Sequence, residues 1–162
     1  MSIKQLPESY LTFKLDNDFY AINVNQVLEI LEIRPITSIP KSPSGMKGVI
    51  NLRGNILPVV DTRNKLGMAE TPFTIESCIL VLTVDTGKEA LLVGAIVDSV
   101  QEVIEIPEEN IQPAPGIGIA FKEEYVKGIG KVGETFFMIL HICNVFSADN
   151  NIHTEPLIQE PV

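Results

Sequence analysis

Two histidines, two cysteines and a few adjacent acidic pairs are the side chains here with the reactivity for catalysis or metal binding. A histidine acting as general acid or base needs a nucleophile or carboxylate within hydrogen-bond reach. His141 follows Met138-Ile139-Leu140 and reads as a structural residue at a strand end; His153 lies in a C-terminal stretch with few apolar residues. Cys78 and Cys143 stand apart in apolar neighbourhoods, with no CxxC and no Cys/His cluster at zinc spacing, so they read as buried, reduced thiols. Glu108-Glu109 and Glu123-Glu124 are side by side in turn-like segments, whereas paired acid–base work needs carboxylates opposed across a cleft. Asp16-Asn17-Asp18 has part of a calcium loop's composition without the full spacing. Gly116-Ile117-Gly118 falls in a proline-rich loop and Gly128-Ile129-Gly130 in a strand, so neither has the strand-to-helix setting that cradles a phosphate. The expectation is a protein with no catalytic residue, no cofactor and no metal.

Composition narrows the partners. The 162 residues carry 12 Lys+Arg against 21 Asp+Glu, a formal charge of −9, with no basic run. Nucleic-acid binding rests on neutralising phosphates, so this balance argues against it and against docking on an anionic membrane. No stretch approaches the roughly 20 apolar residues of a membrane span, and the N-terminal residues lack the apolar core of a signal peptide. The default expectation is a cytosolic protein without membrane insertion.

Recognition is the remaining chemistry, and one stretch concentrates it. Met46 to Asp61 reads as a hairpin, with Gly54-Asn55 as a tight-turn pair and Pro58 suited to an edge or a bulge. Arg53 is the only charge between Lys47 and Asp61. Around this stretch the chain reads as many short strands. Tyr10–Leu15 and Phe19–Ile22 form an opening hairpin, and Asn23 caps a short helix from Val24 to Leu31. Ile36–Ile39 is a short strand and Thr62–Leu66 one helical turn ending at Gly67. Strands follow at Cys78–Val84, Ala90–Val97, Val100–Ile106, Val126–Val132 and Thr135–Leu140. Such closely spaced strands with turn signals between them indicate small barrels. Apolar residues between two barrels offer a groove for an amphipathic helix, with Val27, Ile30, Cys78–Leu82 and Val100 or Val103 as candidate walls; all of them equally suit a core.

Four blocks in order carry a family resemblance: Tyr20 to Ile30 (YAINVNQVLEI), Lys47 to Arg63 (KGVINLRGNILPVVDTR), Val93 to Val103 (VGAIVDSVQEV) and Ile111 to Pro115 (IQPAP), followed by the glycine-marked hairpin Val126 to Met138. Together they cover about residues 10–146, and the chain resembles the CheW-type coupling proteins of bacterial chemotaxis. The resemblance implies an all-β fold of two side-by-side five-stranded SH3-like barrels with one or two short helices. The domain would span 10–146, with subdomains at about 10–70 (the C-terminal segment a candidate to return to it) and 75–140, a flexible segment 1–9 and a disordered tail 147–162. It implies a non-catalytic adaptor that binds the regulatory domain of the histidine kinase CheA and the cytoplasmic signalling tip of methyl-accepting chemoreceptors. Its place would be the cytoplasmic face of the membrane, in receptor arrays. By resemblance Glu29 and Arg53 form an ion pair between helix and hairpin turn, and Val27, Glu29, Ile30, Gly48, Asn51, Arg53 and Val100 form or support the receptor-facing surface. Gln112, Pro113, Pro115 and Ile117 would meet the kinase; some relatives carry a basic residue and an aromatic where this chain has Gln112 and Ile117. The alternatives are a small-ligand-binding β-barrel and an adaptor of the same type serving a pathway other than motility.

Overall fold

Short apolar runs separated by turn residues become eleven strands in the computed structural model, which describes residues 7–42, 45–113 and 123–146. The chain opens with the hairpin β1 (Glu8–Leu15) and β2 (Asp18–Asn23) and passes a 3-10 turn at Val24–Gln26 into β3 (Val27–Glu32). The hairpin β4 (Met46–Leu52) and β5 (Asn55–Asp61) runs into one helical turn, α1 (Thr62–Lys65). Then come β6 (Cys78–Asp85), β7 (Ala90–Val97), β8 (Ser99–Ile106), the short β9 (Ile111–Gln112) and the hairpin β10 (Val126–Val132) and β11 (Thr135–Leu140). Residues 142–146 are helical.

The architecture is all-β, as expected, in two sheets. One has six strands in the order β8-β1-β2-β11-β10-β9; the other has five, β3-β6-β7-β5-β4. The sheets do not divide the chain near residues 70–75. The five-stranded sheet takes every strand from Val27 to Val97, and the six-stranded sheet is built from the chain on either side of it. Two ladders that join the flanking segments cause this interleaving: β2 pairs in parallel with β11 at Phe19↔Phe137, and β1 pairs antiparallel with β8 at Tyr10↔Ile104. The expected lead-in 1–9 overlaps β1 at Glu8 and Ser9, while residues 1–6 and 147–162 lie outside the described residues.

Each sheet buries both of its faces. Leu31, Ile50, Leu57, Val59, Ile79 and Val81 form a core belonging to the five-stranded sheet, and Tyr10, Ala21, Ile106, Phe137 and Ile139 one belonging to the six-stranded sheet. Between the sheets lies a larger shared core that includes Phe13, Leu15, Ile22, Leu80, Leu82, Val84 and Phe146. The run Ile79-Leu80-Val81-Leu82 is therefore unbroken: alternate residues serve different cores, and burial on both faces removes the usual polar alternation.

Three local expectations change. The helix from Val24 to Leu31 is only the 3-10 turn Val24–Gln26, and Val27–Glu32 is an end strand of its sheet. Burial along β3 alternates, with Val27, Glu29 and Leu31 on the less exposed side; across the register shift between Val27 and Glu29, Val27 packs on the shared core and Leu31 on the sheet's own core. That spacing of four mimics a helical stripe. Pro58 lies in β5, which is flanked by β4 and β7, not on an edge; the β7 ladder begins only at Val59, so no ladder on that side needs the missing N–H. Ile36–Ile39 contributes a single bridge, Thr37↔Val49.

Candidate functional site

The β4–β5 hairpin closes at Leu52↔Asn55, so its two-residue turn is Arg53-Gly54, with φ of 51° and 89°, rather than Gly54-Asn55. Positive φ at both central positions is the turn whose twist matches a hairpin. It is uncommon for a residue bearing a Cβ and marks a position held for a reason. The Asn51 carboxamide oxygen accepts the Gly54 N–H at 2.7 Å and stabilises the turn.

The turn delivers Arg53 to Glu29 on β3. Arg53 Nη2 donates to Glu29 Oε2, and Nη1 lies 3.4 Å from Oε1, a two-pronged grip of guanidinium on carboxylate. The hydrogen bond from Arg53 holds the Glu29 carboxyl below its ordinary value against the opposing effect of burial, helped by the charges of Arg53 and Arg34. The pair spans β3 and the β4–β5 turn, at opposite ends of the sheet's strand order.

The other expected surface residues divide by burial. On β3, Leu28 (56% exposed) and Ile30 (46%) present apolar groups beside Glu29. Leu28 was not among the expected residues; outward apolar positions on an end strand would have been its signal. Val27 and Val100 are half-buried and pack against the same shared core, one from each sheet. Asn51 is exposed and acts through the turn. Gly48 is buried: a Cβ there would stand 2.1 Å from the Thr37 carbonyl oxygen, so Gly48 lets Thr37 and β4 approach rather than offering a contact. Ile79–Leu82, expected as candidate groove walls, are fully buried core, whereas Val103 is 54% exposed.

On the far end of the six-stranded sheet, Gln112 and Pro113 border a depression with Phe19, Ile129, Phe136 and Met138. Pro115 and Ile117 lie outside the described residues.

Arg63 received no role from sequence reasoning. Its side chain is 7% exposed and reaches Asp16 in the β1–β2 turn and Asp98 between β7 and β8. No local signal marked it, because its carboxylate partners Asp16 and Asp98 are distant in the chain. His141 is structural in its contacts: its N–H donates to the Tyr125 carbonyl at 2.9 Å, and its own carbonyl accepts the Val145 N–H at 3.0 Å. Among the described residues no three metal-ligating side chains cluster.

A CheW-like domain model matches residues 9–150. The chemotaxis protein CheW of Klebsiella aerogenes is 32% identical over 142 residues, covering 88% of this chain and 83% of that protein. The probable chemotaxis protein CheW of Rhizobium etli is 31% identical over 146 residues, covering 90% and 92%. The crystal structure of the scaffolding protein TtCheW from Thermoanaerobacter tengcongensis superposes with a TM-score of 0.78 at 30% identity, covering 87% of this chain and 93% of that one.

Proposed function

The chain belongs to the CheW-like domain family, and from that membership we propose a non-catalytic chemotaxis adaptor that joins chemoreceptors to the histidine kinase CheA. The observation that carries this reading is the Glu29–Arg53 pair, set on a strained turn beside exposed Leu28 and Ile30. An ion pair flanked by outward apolar side chains suits a helical partner that brings its own apolar anchors. Val27, Glu29, Ile30, Asn51, Arg53 and Val100 form or support the receptor-facing surface, with Gly48 shaping it from below. The kinase regulatory domain meets the end of the six-stranded sheet around Gln112 and Pro113, with Pro115 and Ile117 in the segment that follows. The adaptor works at the cytoplasmic face of the membrane in receptor arrays; among the described residues no helix is long and apolar enough to cross a membrane.

Titration of the full chain with the CheA regulatory domain and, separately, with the helical-hairpin tip of a chemoreceptor tests the reading. Saturable binding of both supports it. Absence of both at ~100 μM, an affinity of only about 5.5 kcal/mol, overturns it.

A further inference from the structure

The strands of the described chain pass from one sheet to the other at two places: Val24–Gln26, between β2 and β3, and Asp98, between β7 and β8. Elsewhere the sheets meet through the shared core, and the Cys143 thiol after β11 lies 3.2 Å from the Asp85 carbonyl of β6. Apolar burial is non-directional and resists separation more than sliding. Arg63 supplies a charged, directional link. It is carried on α1, directly after β5 of the five-stranded sheet, and its backbone N–H donates to Asp61 Oδ1 at 2.9 Å. Its guanidinium donates to Asp16 Oδ1 through Nη1 at 3.0 Å and through Nη2. Nε lies 3.5 Å from Asp98 Oδ1 and 3.3 Å from Thr71 Oγ1. Asp98 Oδ2 accepts the Asp16 N–H at 2.7 Å, and the Asp98 N–H donates to the Lys14 carbonyl at 3.2 Å. One nearly buried cation on one sheet thus holds both a hairpin turn of the other sheet and a crossing point of the chain.

We propose that Arg63 is a positioning residue that sets how the two sheets seat on each other, and thereby the spacing of the surface shared by Glu29, Arg53 and Val100. This rests on the reading of that surface as receptor-facing. Glu29 and Arg53 belong to the five-stranded sheet, and Val100 is the second residue of β8, two residues beyond Asp98. A partner that touches both sheets therefore feels the clamp. A partner seated around Gln112 and Pro113 touches the six-stranded sheet alone and does not.

The test compares Arg63→Met with the natural chain in two ways. Spin labels at exposed Asn55 and Gln101, one on each sheet, report the seating in a background with Cys78 and Cys143 replaced by alanine. Titrations report affinity for the receptor tip and for the kinase regulatory domain. The expected result is a shifted or broadened label distance and receptor affinity weaker by about tenfold, with kinase affinity unchanged and part of the receptor loss recovered by Arg63→Lys. An unchanged distance, or equal losses for both partners, overturns the proposal. Should Arg63→Met not fold, Asp16→Gly removes the main ion pair at an exposed turn whose φ of 59° glycine accepts, and the same readouts decide. If the natural chain binds neither partner, the adaptor reading fails, while the label distances still decide the positioning claim.

Discussion

Arg53, on the turn between β4 and β5, holds the carboxylate of Glu29 on β3, twenty-four residues earlier in the chain. The contact ties two elements that no ladder joins, because β3 and β4 are the end strands of their sheet. Arg53 is the more exposed partner, with 68% of its side chain open to solvent against 31% for Glu29. An exposed pair adds little to stability, so its value lies in geometry.

Exchanging the charges separates a clamp from a direct contact. Glu29→Arg and Arg53→Glu each weaken receptor-tip binding, and the double variant recovers part of the loss, since the opposite pair bridges the same two elements. The check is a double-mutant cycle by titration. A double variant no better than the worse single would show that Arg53 acts on the partner itself.

Thr12 sits where the β1–β8 register shifts, between Leu11 and Phe13, and is 1% exposed. Its hydroxyl donates to the Glu102 carbonyl at 2.6 Å and accepts the Glu102 N–H at 3.1 Å, satisfying backbone groups that the bulge takes out of the ladder. Thr12→Val keeps the shape and removes the hydroxyl. The expected loss is about 1–3 kcal/mol by chemical denaturation, with Thr12→Ser close to the natural chain. Equal stability of the valine variant would mean that water serves those groups equally well.

Hairpins and turns were legible in the sequence because a tight turn leaves a local signature: the turns at Asp16-Asn17 and Arg53-Gly54 fall where Asp, Asn and Gly cluster. The interleaving of the sheets was not. A parallel ladder between Phe19 and Phe137 depends on residues more than a hundred positions apart and needs no particular residue type. The strand β3 misled for a related reason. Val27 and Leu31 are four apart, a spacing that strand and helix share, and the outward-facing Leu28 completes what reads as a helical stripe. In the candidate site, Arg53 stood out as a lone charge in an apolar hairpin, and its link to Glu29 entered through family resemblance. Arg63 did not stand out, because burial and two distant carboxylates make it important and neither is local.

Asp61 gives the chain a pH signature. It is 3% exposed and caps α1 by accepting the Arg63 N–H, and burial is the main cause pushing its carboxyl above the ordinary value of 3.8. A raised folded value means that the folded chain holds this proton more tightly than the unfolded chain. Its contribution to stability is therefore full below pH 3.8 and declines as pH rises through the folded value. Asp61→Asn keeps an acceptor for the cap and removes the titration. The stability difference, variant minus natural, should grow across that window and then level off. A difference that is flat with pH would show that the carboxyl is not perturbed. Glu29 titrates with the opposite sign: its lowered value places the loss of the Arg53 pair below pH 4.5 on acidification.

Gly48 tests whether the proposed receptor-facing surface depends on backbone packing beneath it. At φ of 149°, its missing Cβ would lie 2.1 Å from the Thr37 oxygen and 2.7 Å from the Thr37 carbon. These are backbone atoms that cannot rotate aside, and Thr37 is fixed by two hydrogen bonds of 2.9 Å with Val49. Gly48→Ala must therefore push Thr37 away or distort β4 next to the Met46–Gly48 register shift. The expected cost is roughly 1–3 kcal/mol, together with faster hydrogen exchange at the Thr37 and Val49 amides. Gly54→Ala is the matched comparison: it also has positive φ, but its Cβ meets nothing within 4 Å, so it carries only the conformational penalty. The larger loss at Gly48 is the packing contribution. Equal losses at the two positions would show that Thr37 moves freely and that Gly48 serves conformation alone.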